Sequence, residues 1–248
     1  MEEWCRELDW SKAKTIFIVT FLLLNILLGY QIYLKQGDYI NNLEWSTSNM
    51  DELSDLLQQQ RISLNIDIPK EQPQMHFLQV KSILDSDTQQ LSRETDATLD
   101  RTIIEGEISE LVYNFEDYVY SLVETKEPDQ FMYYQTLDDF PFFGAKLKVE
   151  VLDQGIINYN QSYYEVISEG LDREVISSNS SLRTILDQQL IPSGAIIEDI
   201  TLGYQGQSNQ SSFLVLTPVW RITYQLTDKQ EELYINALSG GLQNIANF

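Results

Sequence analysis

The apolar positions of this chain change their period along its length. From Thr15 to Leu34 they are nearly continuous, a stretch of 20 residues without a formal charge between Lys12 and Lys14 on one side and Lys35 on the other. At about 1.5 Å per residue such a helix spans roughly 30 Å, the hydrocarbon thickness of a bilayer. A signal peptide is the competing reading, but its apolar region is about 7 to 15 residues and ends at a small-x-small cleavage site. Here the run is longer and leaves through Gly29-Tyr30-Gln31-Ile32-Tyr33, so it reads as an uncleaved anchor. Arg6, Lys12 and Lys14 on the short side favour a cytoplasmic N-terminus, which turns the large C-terminal part outward.

Beyond a stem over residues 35–48 the period shortens and alternates. Leu53, Leu56 and Leu57 stand at helical spacing and end at Gln58-Gln59-Gln60, which predicts a short amphipathic helix from Asn49. Ile62, Leu64, Ile66 and Ile68 alternate with polar residues up to Pro69 and predict a strand; a second covers Met75 to Val80. Asp85 to Asp100 is polar and aperiodic, a surface loop or lid. Thr102 to Ile108, Leu111 to Val123, Lys146 to Leu152 and Ile156 to Ile167 read as strands, with Asp153-Gln154-Gly155 as a hairpin turn. Ser178 to Ser181 offer N-caps for a helix over Leu182 to Leu190, which Ile191-Pro192 ends. Three strands follow over Ala195 to Tyr204, Phe213 to Gln225 and Glu232 to Leu238, with turns at Gly206 to Ser212 and Asp228 to Gln230. The expectation is an α+β fold, mostly antiparallel, with a cytoplasmic tail 1–14, a membrane helix 15–34, the stem 35–48 and an outer domain 49–248. A helix followed by a three-strand meander is one unit of it, and the helix at Asn49 with its strands is a candidate weaker copy.

Charge narrows the function. The chain carries a formal charge of −22, and 34 acidic against 13 basic residues lie from Lys35 onward. Nucleic acid is excluded as a partner, because phosphate binding gains from Lys and Arg replacing counterions. The same field keeps the outer domain off anionic lipid and favours only cationic patches on other molecules. Cys5 is the sole cysteine, so no disulfide can form within the outer domain.

Candidate chemistry is sparse. His76 is the only histidine, and no nucleophile elbow accompanies it, so it reads as structural; no metal or cofactor is expected. Glu105 with Glu107, Asp138 with Asp139, and Glu198 with Asp199 are adjacent carboxylates that an acidic chain produces without a catalytic cleft. Asn160, Asn179 and Asn209 open Asn-x-Ser triplets and carry no weight here. Phe140-Pro141-Phe142-Phe143-Gly144 is the densest aromatic cluster, either an outer partner contact through Phe140, Phe142 and Phe143 or a plug at one end of a core. In the membrane helix Asn25 and Gly29 share a face, where a close-packed partner helix and an interhelical hydrogen bond are both possible.

Asp9-Trp10-Ser11-Lys12-Ala13-Lys14-Thr15, running into Leu24-Asn25-Ile26-Leu27-Leu28-Gly29-Tyr30-Gln31, resembles the start of the YycI (WalI) family. Pro218-Val219-Trp220-Arg221-Ile222 and Tyr234-Ile235-Asn236-Ala237-Leu238-Ser239-Gly240 resemble its closing strands, which are PepSY-like, with Trp220, Tyr234, Asn236 and Gly240 as the structural motif. The family opens with Met before Asp-Trp-Ser, whereas Leu8 stands here; a TTG start read as Leu would make Met1 to Glu7 an addition. The resemblance implies a non-enzymatic, single-pass regulator of Gram-positive Firmicutes. With a YycH-like sister protein it would contact the WalK/YycG-like sensor histidine kinase of the cell-wall two-component system through transmembrane helices. The residues alone also leave open a wall-polymer hydrolase using paired carboxylates, and a binding module for wall fragments or proteases.

Overall fold

Helix α1 (Trp10–Leu43) runs through the apolar stretch as 34 residues of unbroken α-helix, about 51 Å long at the usual rise. The structure, a computed structural model, describes residues 10–43, 50–84, 88–91, 101–125, 127–152, 156–207 and 213–243. It divides into two units, Met1–Ser46 and Thr47–Phe248. In the first, every side chain from Lys14 to Gln31 is exposed. Two polar side chains inside this run bond to their own helix. Thr20 Oγ1 donates to the Ile16 carbonyl at 2.8 Å and Asn25 Nδ2 to the Phe21 carbonyl at 2.9 Å. Residues 35–43 of the expected stem are helical; residues 44–49, Arg6 and Cys5 lie outside the described residues.

The second unit opens with α2 (Met50–Gln60), β1 (Ser63–Leu64), β2 (Gln74–Met75), β3 (Leu78–Leu84) and β4 (Thr88–Leu91). Next come α3 (Arg101–Ile108), β5 (Tyr118–Tyr120), β6 (Gln130–Leu137), β7 (Phe140–Leu152), β8 (Ile156–Gln161), β9 (Tyr163–Glu169) and β10 (Arg173–Glu174). It closes with α4 (Ser178–Asp187), β11 (Ile196–Gln207), β12 (Leu214–Leu226) and β13 (Lys229–Asn236). The fold is α+β and mostly antiparallel. The main strand order is β4-β8-β7-β11-β12-β3-β9, with β6 and β5 continuing from β7, β13 beside β12, and a separate β2–β10 pair. Among the described residues only β1–β11 and the Tyr204–Phe142 bridge of β11 to β7 are parallel. Ser162 alone separates β8 from β9, and its N–H donates to the Lys146 carbonyl of β7 at 2.8 Å, so the chain enters β9 directly from the β7–β8 ladder.

Several expected elements are corrected. Thr102 to Ile108 is helix, not strand: Ile104 and Ile108, four residues apart, are buried while Ile103 is exposed, and Arg101 pairs with Glu105 at 3.3 Å. Short apolar runs satisfy both periods, and here the 3.6-residue one prevails. Leu111 to Val123 forms a strand only at β5, because Asn114 turns left-handed at φ 46 into a 3-10 turn over Phe115–Asp117. The Ile62 to Ile68 strand shrinks to Ser63–Leu64, and the Met75 to Val80 strand breaks at His76 and Phe77. Within the expected loop Asp85 to Asp100, residues 88–91 are a strand on β8; residues 85–87 and 92–100 lie outside the described residues. Ile156 to Ile167 splits into two strands. The turn after β12 is shorter than expected, since Thr227 at φ 59 reverses the chain and Lys229 already begins β13. The hairpin residues 153–155, and 208–212 with Asn209, lie outside the described residues.

Helix α4 starts earlier than the expected Leu182, at Ser178, because Ser177 caps it: its hydroxyl accepts the Ser180 N–H at 3.1 Å. Helix α2 is not followed by a meander. The helix-then-meander order of α4–β11–β12–β13 recurs instead at α3–β5–β6–β7–β8, where β5–β6, β6–β7 and β7–β8 are all antiparallel.

These two units build two cores. Leu53 and Leu57 of α2 and Leu182, Ile185 and Leu186 of α4 pack with Trp220, Ile222 and Ile235. Ile104 and Ile108 of α3 pack on Phe131, Tyr133, Leu147 and Val149 of the β6–β7 hairpin.

Candidate functional site

Strand β12 alternates apolar and polar residues, yet every residue from Leu216 to Tyr224 is buried. Its even-numbered side lies in the α4 core. Its odd-numbered side carries Thr217, Val219, Arg221 and Thr223, and Arg221 is only 3% exposed. A charge so deep requires partners. Arg221 Nη1 donates to Glu124 Oε1 at 2.6 Å and to the Tyr134 hydroxyl at 2.8 Å, with Glu232 Oε1 at 3.7 Å; Nη2 reaches Asp199 Oδ2 at 3.4 Å. The Phe143 ring centroid lies 4.4 Å from the guanidinium carbon, and Lys146 Nζ holds the other Glu124 oxygen at 3.2 Å. Strands β11, β12 and β13, the β6–β7 hairpin and the turn after β5 all contribute to this one compartment.

Gly203 allows the layers to meet. A Cβ there would stand 2.5 Å from the Pro141 carbonyl oxygen and 2.8 Å from the Phe143 ring, beside the parallel bridge to β7. Of the two readings of this segment, an outer partner contact or a core plug, the burial of Phe142 and Phe143 fits the plug. Phe142 is 1% and Phe143 3% exposed, because the turn before them, Asp138-Asp139 with both φ positive, folds the segment back as the start of β7. Phe140 is half-buried against the α4 core.

Trp220 and Tyr234 sit on neighbouring strands and point to opposite sides. Trp220 lies opposite Ile235 and donates its indole N–H to the Ile176 carbonyl at 2.8 Å; Tyr234 lies opposite Arg221 and donates to Glu232 Oε2 at 2.6 Å. Asn236 Oδ1 accepts the N–H groups of Leu238 and Ser239, both at 2.9 Å, and Gly240 takes φ 70. That turn sends the chain back along β13, where Gln243 N–H donates to the Tyr234 carbonyl at 2.8 Å. The C-terminal motif is thus two core aromatics plus the Asx turn that starts the edge of the sheet.

Several further titratable groups are engaged structurally. Burial, with a hydrogen bond to Asp117, pushes Tyr163 up to about 12. Burial does the same for Tyr224, whose hydroxyl donates to Glu231, and burial raises Tyr118, Tyr133 and Tyr234 as well. Of the adjacent carboxylates, Glu105 binds Arg101 and Tyr133, Asp199 binds Arg221 and Thr201, and Asp138 and Asp139 form the β6–β7 turn. His76 Nδ1 lies 2.7 Å from Asp172 Oδ1. Among the described residues no group of three His, Cys, Asp or Glu could hold a metal ion. In α1, Asn25 and Gly29 share a helix face, and nothing lies within 4 Å of where a Gly29 Cβ would stand.

A comparison with protein families identifies the chain. The family described as YycI protein matches residues 88–238, from β4 to the turn after β13. The chain belongs to the YycI family. Membership carries a regulatory accessory role in the WalRK two-component system, and the family is one of regulators rather than known enzymes. Among the described residues one helix is long and apolar enough to cross a membrane, which fits a single-pass membrane protein. No curated protein matches. Among solved structures, an uncharacterized protein from Eubacterium rectale aligns with a TM-score of 0.43 and 12% identity, covering 81% of this chain and 84% of its own. The Bacillus megaterium YpeB C-terminal domain aligns with a TM-score of 0.37 and 10% identity, covering 80% and 98%. The YycI match spans the Arg221 compartment and both helix-meander units, and it stops short of α1 and α2.

Reading residues alone missed this compartment. Its one signal is Arg221 itself, a charge inside the run Val219-Trp220-Arg221-Ile222. Glu124, 97 residues earlier, has no local mark.

Proposed function

We propose that this YycI family chain is a single-pass accessory regulator that associates with a WalK/YycG-like sensor histidine kinase and a YycH-like sister protein through α1. Its N-terminus is cytoplasmic and its second unit extracellular. The observation that carries the reading is the family match combined with a helix whose side chains from Lys14 to Gln31 are all exposed. Such a surface is stable in lipid or against other apolar helices. Asn25 and Gly29 form the contact face. The Asn25 amide N–H is engaged by Phe21, which leaves Oδ1 to accept a bond from a neighbouring helix, while Gly29 lets the backbones approach.

An interhelical hydrogen bond of this kind is worth about 1 kcal/mol, so Asn25→Leu should weaken association roughly fivefold. Gly29→Leu added to it should weaken association further. Kinase output from a reporter promoter and a bacterial two-hybrid signal, each compared with Leu23→Ala and Leu27→Ala on other faces, measure both. Wild-type association and regulation in the double variant, at equal expression and insertion, would exclude this face.

A further inference from the structure

The turn that follows β9 presents an apolar side chain to solvent and is tied down from behind. Leu171 is 84% exposed, more than any other large apolar side chain described in the chain. A single exposed leucine is ordinary in itself. What sets this one apart is its support. Gly170 N–H donates to the Phe77 carbonyl at 2.8 Å, and Arg173 and Glu174 pair with Met75 and Gln74 as the β2–β10 ladder. Val175 is fully buried and anchors the exit of the turn. The His76 ring sits beneath it with Nδ1 2.7 Å from Asp172 and Nε2 3.7 Å from Glu169. This support holds the tip in one conformation, which lowers the ordering cost of binding. Around the tip Glu169, Asp172 and Glu174 are exposed, against one cation, Arg173.

We propose that the turn Gly170 to Arg173 is a docking knob: Leu171 enters an apolar pocket on a partner protein, and Lys or Arg side chains at that pocket's rim pair with Glu169, Asp172 and Glu174. The charge pattern selects this occupant. A second copy would bring another chain of net charge −22 against an acidic rim, and an anionic lipid surface would repel the same carboxylates. Burying a leucine inside a ring of complementary charge is how a small contact gains both affinity and orientation. The inference rests on the regulator reading only in supposing a protein partner for the second unit.

The test uses the full chain in its own membrane, with a photo-crosslinking residue at Leu171 and, in a control chain, at Leu122, which is 76% exposed on the turn after β5. The expected result is capture of one protein at least about tenfold above the control, through a peptide that carries Lys or Arg beside apolar residues. Glu169→Lys with Glu174→Lys should lower that capture about tenfold, and Leu171→Asp should weaken association of the otherwise unmodified chain with the captured protein by about tenfold as well, the α1 contact remaining. Equal capture at both positions, capture of a second copy or of lipid, or capture indifferent to the charge reversal would overturn the knob. The regulator reading has its own readout: if Leu171→Asp leaves reporter output and association intact while the Asn25 and Gly29 variants lower both, the knob fails and the helix-face reading stands.

Discussion

The two sides of β12 are built on opposite principles from one strand. On the side of Trp220, Ile222 and Tyr224, two helices cover the sheet and the core is aliphatic and aromatic, held by area removed from water. On the side of Thr217, Arg221 and Thr223, the β6–β7 hairpin and the turn bearing Glu124 cover the sheet, and a buried cation is matched by three carboxylates and two aromatic rings. The first side tolerates local repacking, because dispersion contacts are many and individually weak. The second is a matched set, in which removing Arg221 leaves three partly buried carboxylates short of the charge that balances them. The difference also separates the long-range ties: the apolar side joins α2 and α4 to the sheet, whereas the charged side joins the two helix-meander units to each other.

The largest effect should come from breaking that set. Arg221→Met leaves Glu124, Asp199 and Glu232 around an apolar side chain and should cost about 3–5 kcal/mol in a denaturant melt. Adding Glu124→Gln and Glu232→Gln should restore part of the loss; no restoration would mean that packing of Arg221, rather than charge balance, holds the layers together. Trp220→Ala, on the other side, should cost a similar 3 kcal/mol or about that, and Leu186→Ala somewhat less, because both open cavities in a well-filled core. For these no second substitution of the charged set should compensate, since the two sides share only the strand backbone.

Alkaline pH sharpens the contrast. Tyrosine in the unfolded chain ionises near 10.0, whereas burial first, and then Asp117 and Glu231, hold the protons of Tyr163 and Tyr224 up to about 12. Their contribution to stability is whole below pH 10 and falls as pH rises from there through about 12. Melting temperature measured across that window should drop, and Tyr224→Phe should reduce the drop. The smallest predicted effect is local: Ser177→Ala removes the α4 cap and should cost about 1 kcal/mol with no change at the Arg221 compartment, read as a small shift in melting midpoint.

Much of the chain could be read from period alone, because the property that sets each element is local. The apolar stretch from Thr15, the leucines of α2, the capped α4 and the three closing strands each carry their own signal, and their types are those observed. Where two periods fit the same few residues, as at Ile103-Ile104 with Ile108, the choice belongs to whichever face finds a cover, and α3 found the β6–β7 hairpin. The aromatic segment Phe140 to Phe143 went inward because two aspartates in left-handed conformation reversed the chain just before it. Arg221 shows the limit most plainly. Alternation places it on the polar side of a strand, and the sequence by itself determines no more than that. Whether a polar side meets water or a second layer depends on contacts tens of residues away. Only the tertiary structure brought Glu124 across 97 residues to meet it, and that neutralising partner makes burial of the charge tolerable.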